Sequence, residues 1–265
     1  MSTPARTRSG RSEPDVQSVG WDEFRDWFLT AYRQDEHVSL LGPNGVGKTT
    51  LAAEILEARE CVIVLATKPE DPIVERFLEL KYKVQERLDI PSVEDREGKR
   101  RPHPAYRRIV LWPREERIEG SERYRSTGQM KAYQRARILQ AFEYARRSRR
   151  WTIFSDDAMY LVEDLQLGDE LKWFWRQGRS AGLGLVAAAQ RPAWVPRDMY
   201  SAPQHLFLWQ TNDRNDLERL ADIGGGLDRR MLEQIVSELP RHEFLYLRPR
   251  VYPPLLVRSK VEVGR

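Results

Sequence analysis

The sequence predicts an α/β fold with a mainly parallel central sheet flanked by helices, and three observations predict it. Short β-type runs recur along the chain with helical stretches between most of them. Several of these runs are continuously apolar, as in strands covered on both faces of a parallel sheet. A glycine-rich loop, GPNGVGKT at 42–49, lies between the first such strand and a helix.

The elements follow in order. Residues 1–19 are rich in Ser, Arg, Pro and Gly, with almost no apolar side chains, and read as a flexible N-terminal arm. Trp21, Phe24, Phe28 and Tyr32 then recur at helical spacing, with Asp22 and Glu23 well placed against the dipole of the first turn. Strands are expected at His37–Leu41, Cys61–Ala66, Arg108–Trp112, Trp151–Ser155, Leu183–Ala189, His205–Trp209 and Glu243–Leu247. Helices are expected from Lys48 to about Arg59, from about Gly128 to Arg149, from about Asp169 to Arg179, and over Asp228–Leu239. The last has an apolar stripe at Met231, Leu232, Ile235, Val236 and Leu239, whereas the stretch 128–149 shows no clean stripe. Residues 84–126 are charged, with four prolines and one convincing strand, and read as an insertion or extended loop within one domain spanning 20–247. The tail 248–265 reads as a C-terminal extension, with a β-like run over Leu255–Val263 suited to an edge strand or to partner binding.

A chain of 265 residues with 40% apolar content can bury the core of one elaborated domain. The longest nearly uncharged apolar stretch, Ala181–Ala189, falls far short of the ~20 residues that span a bilayer, and no signal peptide is seen. A cytoplasmic protein with no membrane insertion is expected. The single cysteine, Cys61, excludes an intramolecular disulfide framework and a cysteine-rich zinc site. Charge is nearly balanced, 44 Lys and Arg against 40 Asp and Glu, so its distribution matters more than its sum. Basic clusters lie at Lys99, Arg100, Arg101, Arg107 and Arg108 and at Arg146, Arg147, Arg149 and Arg150. Each suits a nucleic-acid footprint or a solvated face equally well.

The loop carries the chemistry. Gly42, Gly47, Lys48 and Thr49 satisfy G-x-x-x-x-G-K-[ST], and Pro43, Asn44, Gly45, Val46 and Thr50 complete the turn into the helix. Glycines let backbone N–H groups converge on phosphate oxygens, and the helix N-terminus adds positive potential. Lys48 is expected to reach the β and γ phosphates of ATP, and the Thr49 hydroxyl to ligate Mg²⁺. A carboxylate for the metal must come from a later strand. Trp151–Ser155, followed by Asp156 and Asp157, supplies one, with Asp156 holding Mg²⁺ and Asp157 orienting or deprotonating the attacking water. ATPases of this arrangement mostly carry Glu at the second position, and Asp is one methylene shorter. Either acid also suits the N-cap of a following helix.

The order of phosphate loop, acid pair and a strand closing on AAQRP (Ala188–Pro192) resembles the FtsK/HerA superfamily of DNA-translocating ATPases. The segments ATKPEDP (66–72) and TNDRNDLERLADIGG (211–225) resemble further parts of that pattern, although an Asp often present near Ala66 or Thr67 is absent. The resemblance runs over roughly Val38–Leu247. It implies a RecA/ASCE-like P-loop NTPase fold and a homo-oligomeric ring, pentamer or hexamer, around double-stranded DNA, with ATP at each subunit interface. It also implies that Gln190 senses the γ-phosphate or positions water, and that a neighbouring subunit donates an arginine finger. Arg179 is the first candidate for that finger, with Arg176 and Arg214 behind it. The nearest functional match is a viral genome-packaging ATPase that docks on a capsid portal vertex. Too few residues follow Leu247 for a nuclease domain, so cleavage would belong to a separate nuclease. The alternatives are a conjugation or virion-assembly ATPase acting on proteins and a nucleotide-switched binding module. Trp173 and Trp175 lie beside Arg176 and are available to DNA, but core packing is the commoner use of such tryptophans.

Overall fold

The structure is a computed structural model that describes residues 16–116, 122–223, 227–251 and 253–262. Parts of the expected arm, of the 84–126 insertion, of the 211–225 glycine turn and of the final β-like run lie outside the described residues.

The strands are β1 (Val16–Ser18), β2 (Val38–Leu41), β3 (Cys61–Leu65), β4 (Lys83–Gln85), β5 (Ser92–Glu94), β6 (Arg100–Pro102), β7 (Arg108–Leu111), β8 (Trp151–Ser155), β9 (Gly184–Ala189), β10 (His205–Trp209), β11 (Glu243–Arg248) and β12 (Leu255–Lys260). Ten of them form one sheet in the order β1-β12-β11-β10-β2-β9-β8-β3-β7-β4, and β5 and β6 pair separately as an antiparallel hairpin. Within the large sheet β11 alone runs against the rest, because it is antiparallel to both β10 and β12. The predicted α/β class and mainly parallel sheet are thus observed.

The helices are α1 (Trp21–Ala31), α2 (Lys48–Leu56), α3 (Pro72–Glu79), α4 (Thr127–Ser148), α5 (Gly168–Trp173), α6 (Asp198–Ser201), α7 (Arg214–Arg219) and α8 (Arg229–Glu238). They cover the two faces of the sheet and divide the core in two. On one face α1, α2 and α3 pack over β2, β3 and β10. Phe24 and Phe28 of α1 stack there into Phe207, Phe244 and Tyr246, all fully buried. Each such ring removed from water contributes roughly 1.5–3 kcal/mol before entropy is counted. On the other face α4, α5 and α8 pack over β8, β9 and β10. The long α4 has its stripe after all: Gln134, Ile138, Ala141, Phe142 and Ala145 are buried at spacings of four, three, one and three. A polar residue opens that stripe, which hides it from an apolar count. The Gln134 amide is satisfied by donating to the Thr67 carbonyl (2.8 Å) and accepting from the Tyr160 hydroxyl (2.7 Å). Trp175 is buried, Trp173 packs against the core under the Arg146 guanidinium, and core is the role both tryptophans take.

Three boundaries differ from the sequence reading. Residues 16–18, placed in the arm, form the edge strand β1, with Val16 opposite Leu256. Three residues at an edge, of which Gln17 and Ser18 are exposed, need no apolar run. The tail is part of the sheet, since β12 lies between β1 and β11. Residues 84–126 are not a separate excursion: β4 pairs with β7 inside the large sheet, and the β5–β6 hairpin stands outside it. The helix expected over 169–179 is helical throughout but changes winding after Trp173, becoming π-helical over Phe174–Gly178.

A buried polar network ties α1 to the reversed strand. His205 donates from Nε2 to Glu36 (3.0 Å) and its Nδ1 accepts from the Tyr246 hydroxyl (2.8 Å), a pattern that suits a neutral ring. Burial also holds the His205 pKa below the ordinary value. Against a burial term that opposes ionisation, the bonds from His205 and the Arg33 amide with the Arg248 charge hold the Glu36 carboxyl down at about 2.

Candidate phosphate-binding site

The site forms where parallel strands β2, β8, β9 and β10 end together. The register pairs Leu41 with Ala189 and with Leu208, so the loop after β2 leaves the sheet between the ends of β9 and β10. One more ladder bond, Gly42 N–H to the Ala189 carbonyl at 3.1 Å, carries the strand into the loop. Strand β9 separates β2 from β8, which places Asp156 across one strand from the loop.

Each loop glycine has a separate reason. A Cβ on Gly42 would lie 2.6 Å from the Trp209 Cβ, so only hydrogen fits there. Gly45 and Gly47 hold φ of +73° and +104°, a backbone region that side chains disfavour, and that conformation turns the following amides inward. No side chain caps α2, so the first-turn N–H groups at its positive end remain for an anion.

Lys48 is buried at the first position of α2 and its ammonium donates to the carbonyls of Gly42 (2.6 Å) and Pro43 (2.7 Å). Burial pulls its pKa down to about 8, against the opposing pull of Asp156 and Asp157. The Thr49 hydroxyl donates to Asp156 Oδ1 at 2.8 Å. Burial raises the Asp156 pKa, while the Thr49 bond and the charges of Lys68 and Lys48 oppose it. Asp157 accepts the Tyr160 N–H at 3.1 Å through Oδ1, so it serves as an N-cap with one of its oxygens. Gln190 is exposed at the tip of β9 and lines a cleft of about 370 Å³ with Pro43, Asn44 and the segment Gln210–Asp213.

A triphosphate and a hard divalent cation are the groups this donor set would hold. Inward backbone amides, an uncapped helix start and a buried ammonium match phosphate oxygens, and a hydroxyl paired with a carboxylate matches the oxygen-only preference of Mg²⁺. The residues fit both groups.

The structure brings together Gly42, Pro43, Asn44, Gly45, Val46, Gly47, Lys48, Thr49, Thr50, Asp156, Asp157 and Gln190. It does not bring Arg179 to its own chain's loop. Arg179 precedes β9 at the opposite end of the sheet, half-exposed, and pairs with Asp35 at 3.4 Å. Arg176 pairs with Asp198 at 3.1 Å. Arg214 opens α7 beyond the end of β10, on the loop side, and is 91% exposed with Glu218 beside it at 3.1 Å. Sequence reasoning missed Trp209, whose place under Gly42 depends on the pairing of β10 with β2, and Tyr160, which links Asp157 to Gln134.

Strand order and loop together define the class: a P-loop ATPase fold with one strand inserted between the loop strand and the acid strand. A scan against protein-family models finds no match, and none is found among curated proteins. Solved structures are similar in fold. The genome-packaging NTPase B204 of Sulfolobus turreted icosahedral virus 2, in complex with sulfate, superposes with a TM-score of 0.56 at 13% identity over 88% of this chain and 100% of that one. B204 has also been solved with AMPPCP and with ATP-gammaS. VirB4 of Thermoanaerobacter pseudethanolicus superposes at 0.57 and 14% identity over 86% of this chain and 89% of that one. The cytoplasmic domain of the Thermomonospora curvata Type VII secretion ATPase EccC superposes at 0.50 and 13% identity, over 88% of this chain and 26% of that one. At these identities the likeness is one of fold, and it agrees with the viral packaging ATPase resemblance read from the motifs.

Proposed function

We propose that this chain hydrolyses ATP to translocate double-stranded DNA, as the motor that packages a viral genome, and that it works as a homo-oligomeric ring. The observation that carries this reading is the joining of Lys48, the Thr49–Asp156 pair, Asp157 and Gln190 at one end of the sheet, in a fold similar to that of B204 over 88% of this chain.

In this reading the loop amides and Lys48 bind the phosphates, and Thr49 with Asp156 holds Mg²⁺. The bound metal would supply charge neutralisation for the transferring phosphoryl group. Asp157 keeps one oxygen on the Tyr160 amide, which leaves the other to orient water. Gln190 sits where an amide can report on the γ-phosphate. The finger would come from a neighbouring copy. Arg214 is placed on the loop side of the sheet, and Arg179 serves only if the ring brings the far end of one subunit to the loop of the next. Docking on a capsid portal vertex and reliance on a separate nuclease belong to the same reading.

The test is the ATPase rate with and without duplex DNA, beside the mass of the assembled species. Stimulation by duplex, loss of turnover in Asp157→Asn and a ring-sized mass are expected. A rate indifferent to DNA at every salt concentration would refute the motor while leaving the nucleotide site intact. The fold likeness to a secretion ATPase supports a second reading, a motor that acts on protein partners in conjugation or virion assembly. Stimulation by a polypeptide partner without DNA retention would select it.

A further inference from the structure

The two basic clusters, separate in sequence, meet in space. Strands β3, β7 and β8 are neighbours in parallel register, Cys61 lies opposite Trp151, and Val62 lies opposite Arg108. Their beginnings therefore gather the residues just before each strand at the end of the sheet opposite the phosphate loop. A cleft of about 430 Å³ opens there, lined by Arg100, Arg101 and Arg107 from one cluster and Arg147, Arg149 and Arg150 from the other. The remaining basic residues of the clusters are engaged elsewhere: Lys99 pairs with Glu97, Arg108 bonds the Glu57 and Arg59 carbonyls, and Arg146 pairs with Glu170.

Resting on the DNA-motor reading, we infer that this cleft grips the phosphodiester backbone of duplex DNA. Half of the six lining guanidiniums are uncompensated. Arg107 pairs with Glu60, the acid that lines the cleft, Arg101 with Asp95 at 3.0 Å, and Arg147 more loosely with Glu143 at 3.9 Å. Arg100, Arg149 and Arg150 are exposed, and among the described residues no ion pair or side-chain hydrogen bond holds their guanidinium groups. Three free guanidiniums spread over two walls suit a repeating anion rather than a single small one, and their planar forks match phosphate oxygens. The aromatic ring in the lining, Tyr144, is half-buried in a T-shaped contact with Trp151, so arginine forks rather than a stacking platform dominate the surface offered. The contact is therefore with the backbone and blind to sequence.

The backbone that presents these side chains is strained. Arg149 holds φ 55° with ψ 170°, and Arg150 follows at φ 59°. Two successive arginines occupy a region that glycine takes at little cost. The conformation is held by the Arg150 N–H bond to the Gly182 carbonyl (3.1 Å) and by the Gln34 amide donating to the Arg150 carbonyl (3.1 Å).

That strain supplies a clean experiment. In the full chain, Arg149→Gly and Arg150→Gly remove charge while relieving the backbone, so loss of binding cannot be blamed on loss of fold. Binding of a fluorescently labelled duplex is measured by anisotropy across salt concentrations for the wild type, for R100A/R149G/R150G, for R100A alone, and for R229A/R230A/R241A, a control that removes equal charge far from the cleft. The cleft variant is expected to bind at least tenfold more weakly near ~0.1 M salt, with the slope of log K against log salt reduced by about three and R100A reducing it by about one. Basal ATPase without DNA and the melting temperature should be at least those of the wild type. If the wild type binds duplex and the triple cleft variant binds it with the same slope, the cleft inference is wrong and the motor reading stands. An equal loss in the control also overturns it, because net charge then explains the effect. If the wild type does not retain duplex at any salt, the motor reading itself fails. Competition for the cleft by polyglutamate without duplex binding would assign it to an acidic protein and overturn the inference.

Discussion

Lys48 gives the phosphate site a pH signature that can be calculated. Its pKa in the unliganded fold is pulled down to about 8 by burial. A bound triphosphate brings negative charge to the ammonium and restores a pKa above the ordinary lysine value, so the complex keeps its proton where the free protein loses it. Affinity must then fall as pH rises through 8, in proportion to the protonated fraction of the free protein. That fraction drops from about 0.8 at pH 7.5 to about 0.03 at pH 9.5, which predicts a weakening of roughly 25-fold, or about 1.9 kcal/mol. A lysine with an ordinary pKa would lose only about a tenth of its charge over the same range. Cys61 and Tyr82, pushed up by burial to about 11 and about 12, stay protonated throughout and do not confuse the measurement. Isothermal titration calorimetry with a non-hydrolysable ATP analogue should show the loss directly. Repeating it at pH 9 in buffers of different ionisation enthalpy should show uptake of nearly one proton. Lys48→Ala should bind weakly at every pH with no uptake. An affinity flat from pH 7.5 to 9.5 in the wild type would refute the burial argument for this lysine.

Two further predictions concern the scaffold. Gly42→Ala forces a Cβ to within 2.6 Å of the Trp209 Cβ, whereas Gly20→Ala meets nothing within 4 Å. The first should cost about 1–3 kcal/mol and lower the melting temperature by about 3–8 °C, the second should change little, and equal shifts for the two would refute the close-contact account. His37 is buried with Nδ1 accepting the Leu185 N–H, and burial pulls its pKa down to about 4. Its neutral form is the one that the fold holds. Stability from this group is therefore full above the unfolded value of 6.5 and is lost as pH falls from 6.5 through 4, by about 3 kcal/mol in all. Urea unfolding at pH 7 and pH 4.5 checks it, and His37→Gln should reduce the difference while leaving the part due to buried His205.

How much of this was legible depended on whether a signal was contiguous. The interior strands β2, β3, β8, β9 and β10 are apolar runs buried on both faces, and the sequence reading found them within a residue of their ends. Lys83–Gln85 and Val16–Ser18 are short and largely exposed strands at the two sheet edges, where pairing alone makes the strand and no apolar run is needed. Helix α3 is not among the helices expected from the sequence, although Asp71 caps it, Pro72 opens it, and Ile73, Val74 and Phe77 form its buried stripe. Eight residues after a proline-rich turn gave the stripe too little length to stand out.

The same division holds for the site. Gly42 to Thr49 is a single local pattern and was read whole, and Asp156 follows from a strand that ends on an acid. Trp209 under Gly42 and the meeting of Arg100 with Arg149 depend on strand register, which no local pattern encodes. The choice among arginines shows the same limit. Arg179, first in the sequence reading, precedes the strand that ends on Gln190 and so lies a sheet's depth from its own loop, and whether it reaches a neighbour's loop depends on an assembly no local pattern encodes.

Strand β8 carries Arg150 at one end and Asp156 at the other. It is extended, buried along its whole length, and hydrogen-bonded on both sides, to β3 and to β9. An extended strand has no slack, since its five residues already span roughly 16 Å at about 3.3 Å each. It can tilt or slide with its neighbours but cannot lengthen. An axial shift imposed on Asp156 would therefore be passed toward Arg150 with little taken up by the strand between them, as through a push-rod held in a sleeve.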